Sequence, residues 1–285
     1  MPLSISAATS PNCALSLWEI ANSGSFIDSL AWLYLRKPNH ALKIIAQLAP
    51  GPAGFPGNEF SNAIELLEVK LSDISASLGS SDPAVAEEAG KTRFARVTLR
   101  DGLLFQHISW VAASIQFPNA KARPPHVRKA DKGFDGLLVE LGALGGALGK
   151  LVLCEDKATI NPRTTITGGV WPEIKKVEAG DKDLELLDAV TAILDTLVSE
   201  DIKEQVLGAT LWEKHREYRV ALTAAPSDLK GGSYQHIFAG YEDQVLDNAT
   251  NRMSEVMPLA DFRAELQSIA SQVIAKLVAM ALVHV

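Results

Sequence analysis

Two short segments hold the residues with the most chemistry to offer: Gly133-Phe134-Asp135-Gly136 and, about twenty residues later, Cys154-Glu155-Asp156-Lys157-Ala158. The apolar run Leu151-Val152-Leu153-Cys154 predicts a buried strand over Lys150 to Ala158. Side chains alternate across a strand, so Glu155 and Lys157 share one face while Cys154 and Asp156 take the other. A second strand over Phe134 to Leu141 carries Asp135 near its start and can set another carboxylate beside Glu155. Two carboxylates and an ammonium at one sheet end suit phosphoryl chemistry. Magnesium or manganese takes hard oxygen ligands and keeps several waters, so Asp135, Glu155 and a substrate phosphate suffice as a site. Such an ion polarises a phosphoryl oxygen and acidifies a bound water. Lys157 can orient that water or offset the charge that builds on the phosphorus oxygens. The plainer alternative is a structural ion pair between Glu155 and Lys157. Exposed strands often alternate these types, but burying them at the end of an apolar run without a use is costly.

Lys121, Arg123, His126, Arg128, Lys129 and Lys132 crowd into KARPPHVRKADK, immediately before Asp135, with only Asp131 interrupting. The whole chain has a formal net charge of -7 and a pI near 5.4, so this is a local concentration of positive charge. A nucleic-acid backbone would be drawn to it; a solvated connector is the bland reading. Pro124-Pro125 stiffens the segment. His107, on an apolar helix, reads better as a core histidine than as a general base, whereas His126 suits a phosphate or base contact. Cys154 has no histidine partner at a recognisable spacing, so it is not expected to act as a nucleophile. Asp156 faces away from the trio, although its backbone carbonyl could reach a metal. Trp171, Glu173 and Lys176, and likewise Arg216, Tyr218 and Arg219, fit either a continuing groove or ordinary packing.

The elements that must position these groups follow from pattern. The first fifty residues, with Trp18, Phe26, Trp32, Tyr34 and Leu35, predict short helices. Residues 48–60 form a Gly- and Pro-rich loop. A helix is expected from Asn58 to Leu78, and Ser81-Asp82-Pro83 reads as the entry to another. Asp101 to Phe117, with Gln106, is a mostly buried helix. The stretch GALGGALG is a turn between the two strands, and Tyr218 to Ala224 is a third strand. The clearest amphipathic helix spans Asp181 to Val198, with Leu184, Leu187, Val190, Ile193, Leu194 and Leu197 as its apolar stripe. A last helix begins near Leu259. The sum is an α/β fold, a small mixed central sheet flanked by helices, with a mostly helical N-terminal region. Residues 1–95 are expected to serve partner docking, and residues 96–285 to form the catalytic domain.

Composition sets broad limits. With 285 residues, 47% of them hydrophobic and 21% charged, the chain can bury a proper core, and disorder is excluded as its dominant state. Two distant cysteines, Cys13 and Cys154, give no zinc spacing. The N-terminus lacks a secretory pattern. The apolar C-terminal run VIAKLVAMALVHV carries Lys276 and reads as a packed helix too short to span a bilayer. A cytoplasmic protein with no membrane partner is the expectation.

Asp, a turn, then Glu-x-Lys within an apolar strand resembles the signature of the PD-(D/E)XK, or restriction-endonuclease-like, nuclease superfamily. The preceding helix, with Gln106, is similar to the one that often supplies an extra acidic or amide side chain there; Phe134 stands where the eponymous proline would be. The resemblance covers roughly residues 100–225. It implies a restriction-endonuclease-like fold and a magnesium- or manganese-dependent endonuclease acting on DNA. Asp135 and Glu155 would be its metal ligands, Lys157 would serve the attacking water and Gln106 would assist. The layout also resembles the nuclease subunit of the Hachiman anti-phage defence system, which implies a helicase or ATPase partner, since no Walker A motif is present. A catalytically silent scaffold of the same fold, and cleavage of RNA instead of DNA, are the competing readings.

Overall fold

Seven strands form one sheet in the order β1-β2-β7-β6-β5-β4-β3: β1 (Leu3–Ala8), β2 (Ala14–Ile20), β3 (Lys121–Ala122), β4 (Gly136–Leu141), β5 (Leu148–Lys157), β6 (Arg216–Ala224) and β7 (Arg252–Pro258). The computed structural model describes residues 1–8, 10–127, 134–142, 148–195, 199–210, 216–246 and 248–284. The central strands β2, β7, β6 and β5 run parallel, while the pairs β1–β2, β5–β4 and β4–β3 are antiparallel. Parallel strands covered on both faces read as continuous buried runs, and β6 is buried at every residue but Glu217.

One face of the sheet is covered by α1 (Ser23–Tyr34), α5 (Pro83–Gln116) and α10 (Phe262–His284), with α2 (Pro38–Ile45) and α3 (Glu59–Leu67) outside them. Leu30, Phe105, Ile108, Leu266 and Val273 fill this layer against Leu3, Trp18 and Met257. The other face carries α7 (Trp171–Glu178), α8 (Asp183–Leu194) and residues 234–245, which pack Trp171, Ile174, Val190 and Tyr241 onto Leu151, Leu153, Val220 and Leu222. The parallel step from β5 to β6 is made by α6 (Pro162–Thr165), α7, α8 and α9 (Glu200–Thr210), the long crossover such a pairing requires. The architecture is mixed α/β, with layers on both faces of a mixed sheet.

Several elements stand where pattern put them. Asp82 caps α5 by accepting from Ala84 N–H at 2.9 Å, with Pro83 in the first turn. The helix expected from Asp101 to Phe117 is the second half of α5, which starts at Pro83 and runs 34 residues, so the boundary expected near residue 95 falls inside it. The N-terminus departs from expectation. It opens with the β1–β2 hairpin, and Trp18 lies on β2, whereas Phe26, Trp32 and Tyr34 belong to α1. The helix expected over Asn58 to Leu78 is two, α3 and the short α4 (Ser75–Leu78), because α3 ends at Glu68 in extended backbone. Helix α8 buries Leu186, Ala189, Val190, Ile193 and Leu194, while Leu184 is 84% exposed. Its stripe is therefore turned from the predicted one, and Leu197 lies outside the described residues. So does the core of the turn GALGGALG. Helix α10 is longer than its apolar tail suggested: Phe262–Val283 is long and apolar enough to cross a membrane by length and composition. Its Leu266, Ile269, Ala270, Val273 and Leu277 are nevertheless buried in the helical layer, and Lys276 pairs with Asp28 of α1 at 2.7 Å.

Candidate active site

Gly136 starts β4 opposite Cys154 of β5. A Cβ on Gly136 would sit 3.1 Å from that of Cys154, so the absent side chain lets the two strands close at this end. Asp135, the residue before, is thereby delivered beside the last residues of β5. Its Oδ1 accepts from Gln106 Nε2 of α5 at 2.7 Å. Its Oδ2 accepts from the Asp156 N–H at 3.0 Å and from Lys157 Nζ at 2.5 Å. The same ammonium stands 2.9 Å from Glu155 Oε2. Strand alternation thus does what was expected of it: Glu155 and Lys157 share a face, and Asp135 and Gln106 join them.

Asp135, Glu155 and Lys157 form the floor of a cleft of about 640 Å³, with Gln106 behind Asp135. Arg123, His126 and Phe134 line one side; Glu173 and Lys176 of α7, with Lys182 and Glu185, line the other. The side chains of Asp135 and Glu155 keep only 15% and 14% of their surface exposed; both line the cleft, and Asp135 also borders a small hollow of about 20 Å³ beside Gln106 and Ser109. Burial raises the Glu155 carboxyl above the usual range; Lys157 works against that rise and the Asp135 charge adds to it. Burial alone would lower the Lys157 ammonium, but Glu155 and Asp135 outweigh it and hold its pKa above the ordinary value. Two carboxylates face one cation here, which leaves one excess negative charge at the cleft floor.

The donor set suits a hard divalent cation. Two carboxylates, with room above them for phosphate and water, match what magnesium takes from a protein. Among the described residues, no three His, Cys, Asp or Glu side chains gather as an all-protein metal cage would need.

The opposite face of β5 is sealed. Asp156 Oδ1 accepts from Ser109 Oγ of α5 at 2.6 Å and lies 3.5 Å from Arg219 Nη1. Arg219 donates to Ser109 Oγ at 2.7 Å and to Glu255 Oε2 at 2.6 Å, and its guanidinium lies 5.2 Å from the centroid of the Trp18 ring. Burial pushes the Asp156 carboxyl up to about 7, with Arg219 opposing and Asp135 adding. Cys154 is buried on this face too, and burial drives its thiol pKa up, which leaves it inert.

Other residues with expected roles divide. His107 is a core histidine: Nδ1 lies 2.8 Å from Leu103 O, the ring stacks on Tyr34 at 4.0 Å, and burial lowers its pKa to about 3. His126 Nε2 is 3.0 Å from Phe134 O, so the ring is tied to the chain just ahead of Asp135. Arg123 lies on the cleft, whereas Lys121, on β3, lines a neighbouring hollow of about 410 Å³ with Trp110 and Phe117. Arg128, Lys129 and Lys132 lie outside the described residues. Trp171, Arg216, Tyr218 and Arg219 are buried and extend no groove, because each packs under or between the strands; Glu173 and Lys176 do line the cleft.

Lys182, Glu185 and Asp188 line the cleft and escaped the sequence. Lys182 Nζ is 5.4 Å from the Phe134 ring centroid and 2.9 Å from Glu173, and its charge acts on Glu155. Lys182 sits at the start of an acidic helix, and no local pattern tells that the α7–α8 corner brings it to the cleft. No protein-family model matches the chain, and no curated protein matches it in sequence.

Proposed function

We propose that the protein is a magnesium- or manganese-dependent nuclease that hydrolyses DNA phosphodiester bonds, with a restriction-endonuclease-like fold. One observation carries the reading: Asp135 and Glu155 share the Lys157 ammonium at the floor of an open cleft. Asp135 and Glu155 would hold the divalent cation, which when bound polarises a phosphoryl oxygen and acidifies a water. Asp135 is fixed for this by Gln106 and by the Asp156 N–H. Lys157, kept protonated by its two carboxylate neighbours, orients the incoming water and offsets charge on the phosphorus oxygens. Arg123 and Lys182, on opposite walls, hold neighbouring phosphates. The same reading has the chain cytoplasmic, an effector of anti-phage defence with a helicase or ATPase subunit as partner; these settings rest on resemblance.

A second reading has one observation in its favour. Both Asp135 oxygens are already engaged by Gln106, Lys157 and a backbone N–H, as in a closed structural ion cluster on a catalytically silent scaffold. Incubating the protein with supercoiled plasmid and magnesium, beside an EDTA control and a Glu155→Ala variant, separates the two. Metal-dependent nicking lost in the variant supports the nuclease; equal nicking by both proteins rules out this site as its source.

A further inference from the structure

Arg36 occupies a position where helices prefer glycine. It comes directly after Leu35, the C-cap of α1, with a φ of 59°, in the left-handed region. Its N–H bonds to Leu33 O at 2.9 Å, and the Lys37 N–H bonds to Trp32 O at 2.9 Å, the closing pattern usually built around glycine. A side chain is kept there against the backbone preference, and it reaches far in sequence: Nη1 donates to Pro125 O at 2.5 Å.

Pro125 belongs to the strap that leads to Asp135. The Arg123 N–H donates to Leu137 O of β4 at 3.3 Å, and His126 is tied to Phe134 O. Cations thus punctuate the strap, with Arg123 on its cleft side and Arg36 on its outer side, where Arg36 and Lys37 line a second hollow of about 660 Å³. Among the described residues, neither guanidinium has a carboxylate partner. Burial lowers the Arg36 pKa, and the charge of Arg123 lowers it further, as expected of two like charges held close without a counter-ion. Planar guanidiniums left in this state are suited to phosphate, which they grip with paired donors.

We propose that Arg36 binds a DNA backbone phosphate adjacent to one held by Arg123, so that the strand leaves the cleft by crossing the 123–126 strap toward the end of α1. This rests on the nuclease reading and extends its footprint beyond the cleft to a residue about a hundred positions before Asp135 in sequence. The test is equilibrium binding in EDTA, so it does not require cleavage. Fluorescence anisotropy with a labelled duplex of about 30 base pairs, titrated from about 50 to about 200 mM salt, gives the slope of log affinity against log salt. Arg36→Gly keeps the helix end in a backbone that glycine favours, so its melting should match the wild type. Its slope should be shallower by about 0.9, the loss of one phosphate contact to duplex DNA. Arg36→Lys, which keeps the charge, should keep the slope, and Arg36→Gly with Arg123→Gln should lose about twice as much. If the wild type binds and Arg36→Gly retains its slope, the Arg36 contact is wrong and the cleft reading stands. If the wild type binds neither duplex nor single strand, both fall together.

Discussion

The two faces of β5 at its C-terminal end carry the same formal charge and do opposite things. On the cleft face, Asp135 and Glu155 oppose Lys157; on the sealed face, Asp156 and Glu255 oppose Arg219. Each group is two anions to one cation. The sealed group compensates with hydrogen bonds from Ser109 and a Trp18 ring beneath Arg219, and its excess charge can be relieved only by a proton. The cleft group can take a cation from solvent. Net charge does not tell the two clusters apart here; access does. A buried ionic cluster is held by the price of leaving any one member unpaired, whereas an accessible cluster can tolerate loss of a member and lose only its chemistry.

Substitutions on the two faces should therefore separate activity from stability. The largest expected effect is on the cleft face: Glu155→Gln should lower cleavage by about 10³-fold or more, equivalent to about 4 kcal/mol of transition-state stabilisation. Its melting temperature should equal or exceed the wild type, because a desolvated charge has been removed. A variant that is both inactive and strongly destabilised would erase the contrast and favour the closed-cluster reading. On the sealed face, Arg219→Met leaves two buried carboxylates without their cation and should cost about 3–5 kcal/mol in denaturant unfolding. Retained stability in that variant would mean that the sealed network holds little of the fold.

A smaller effect should appear with pH, on α5 behind the sealed face. His107 is neutral in the fold with a pKa of about 3, against an ordinary value near 6.5 when unfolded. The unfolded chain takes up that proton first, so the stability His107 contributes is whole above pH 6.5 and is lost as the pH falls toward 3. Between pH 7 and pH 5 this amounts to about 2 kcal/mol. His107→Phe, which can still stack on Tyr34, should flatten that part of the melting-versus-pH curve; curves that stay parallel would contradict it. The smallest effect is Ser109→Ala, which breaks the link between Asp156 and Arg219 and should cost about 1–2 kcal/mol. Its cleavage rate should stay within a few-fold of wild type, since Asp135 is held from the other side.

The site was more legible than the sheet around it. Leu151 to Cys154 followed by Glu-x-Lys declares its alternation in nine residues, and Gly136 after Asp135 marks the close approach. The strands β1, β2 and β7 were missed for local reasons. On β2, Leu15 and Trp18 are three residues apart and enter opposite layers, so the strand shows no clean alternation to outweigh the helical pattern that follows. In β7, Arg252, Ser254 and Glu255 are buried but polar, so RMSEVMP has no apolar signature; only Arg219, arriving from β6, explains Glu255. Helix α8 was recognised but turned, because DLELLDAVTAIL holds enough leucines to fit two stripes. Arg36 and Lys182 could not be found from spacing, since their roles are set by elements distant in sequence.

Pairing β2 with β7 also dictates an order of events. Arg252 Nε reaches Asn12 O across 240 residues, and Ala14 to Leu17 find their partners at Met253 to Val256. A ribosome adding about 5–20 residues per second needs roughly 12–50 s to cover that gap. Through that interval the N-terminal hairpin presents an open edge to its surroundings, a template for pairing with other nascent chains. A chaperone that shields strand edges should therefore raise the yield of folded protein, and weakened pairing in β7 should show first as aggregation during synthesis.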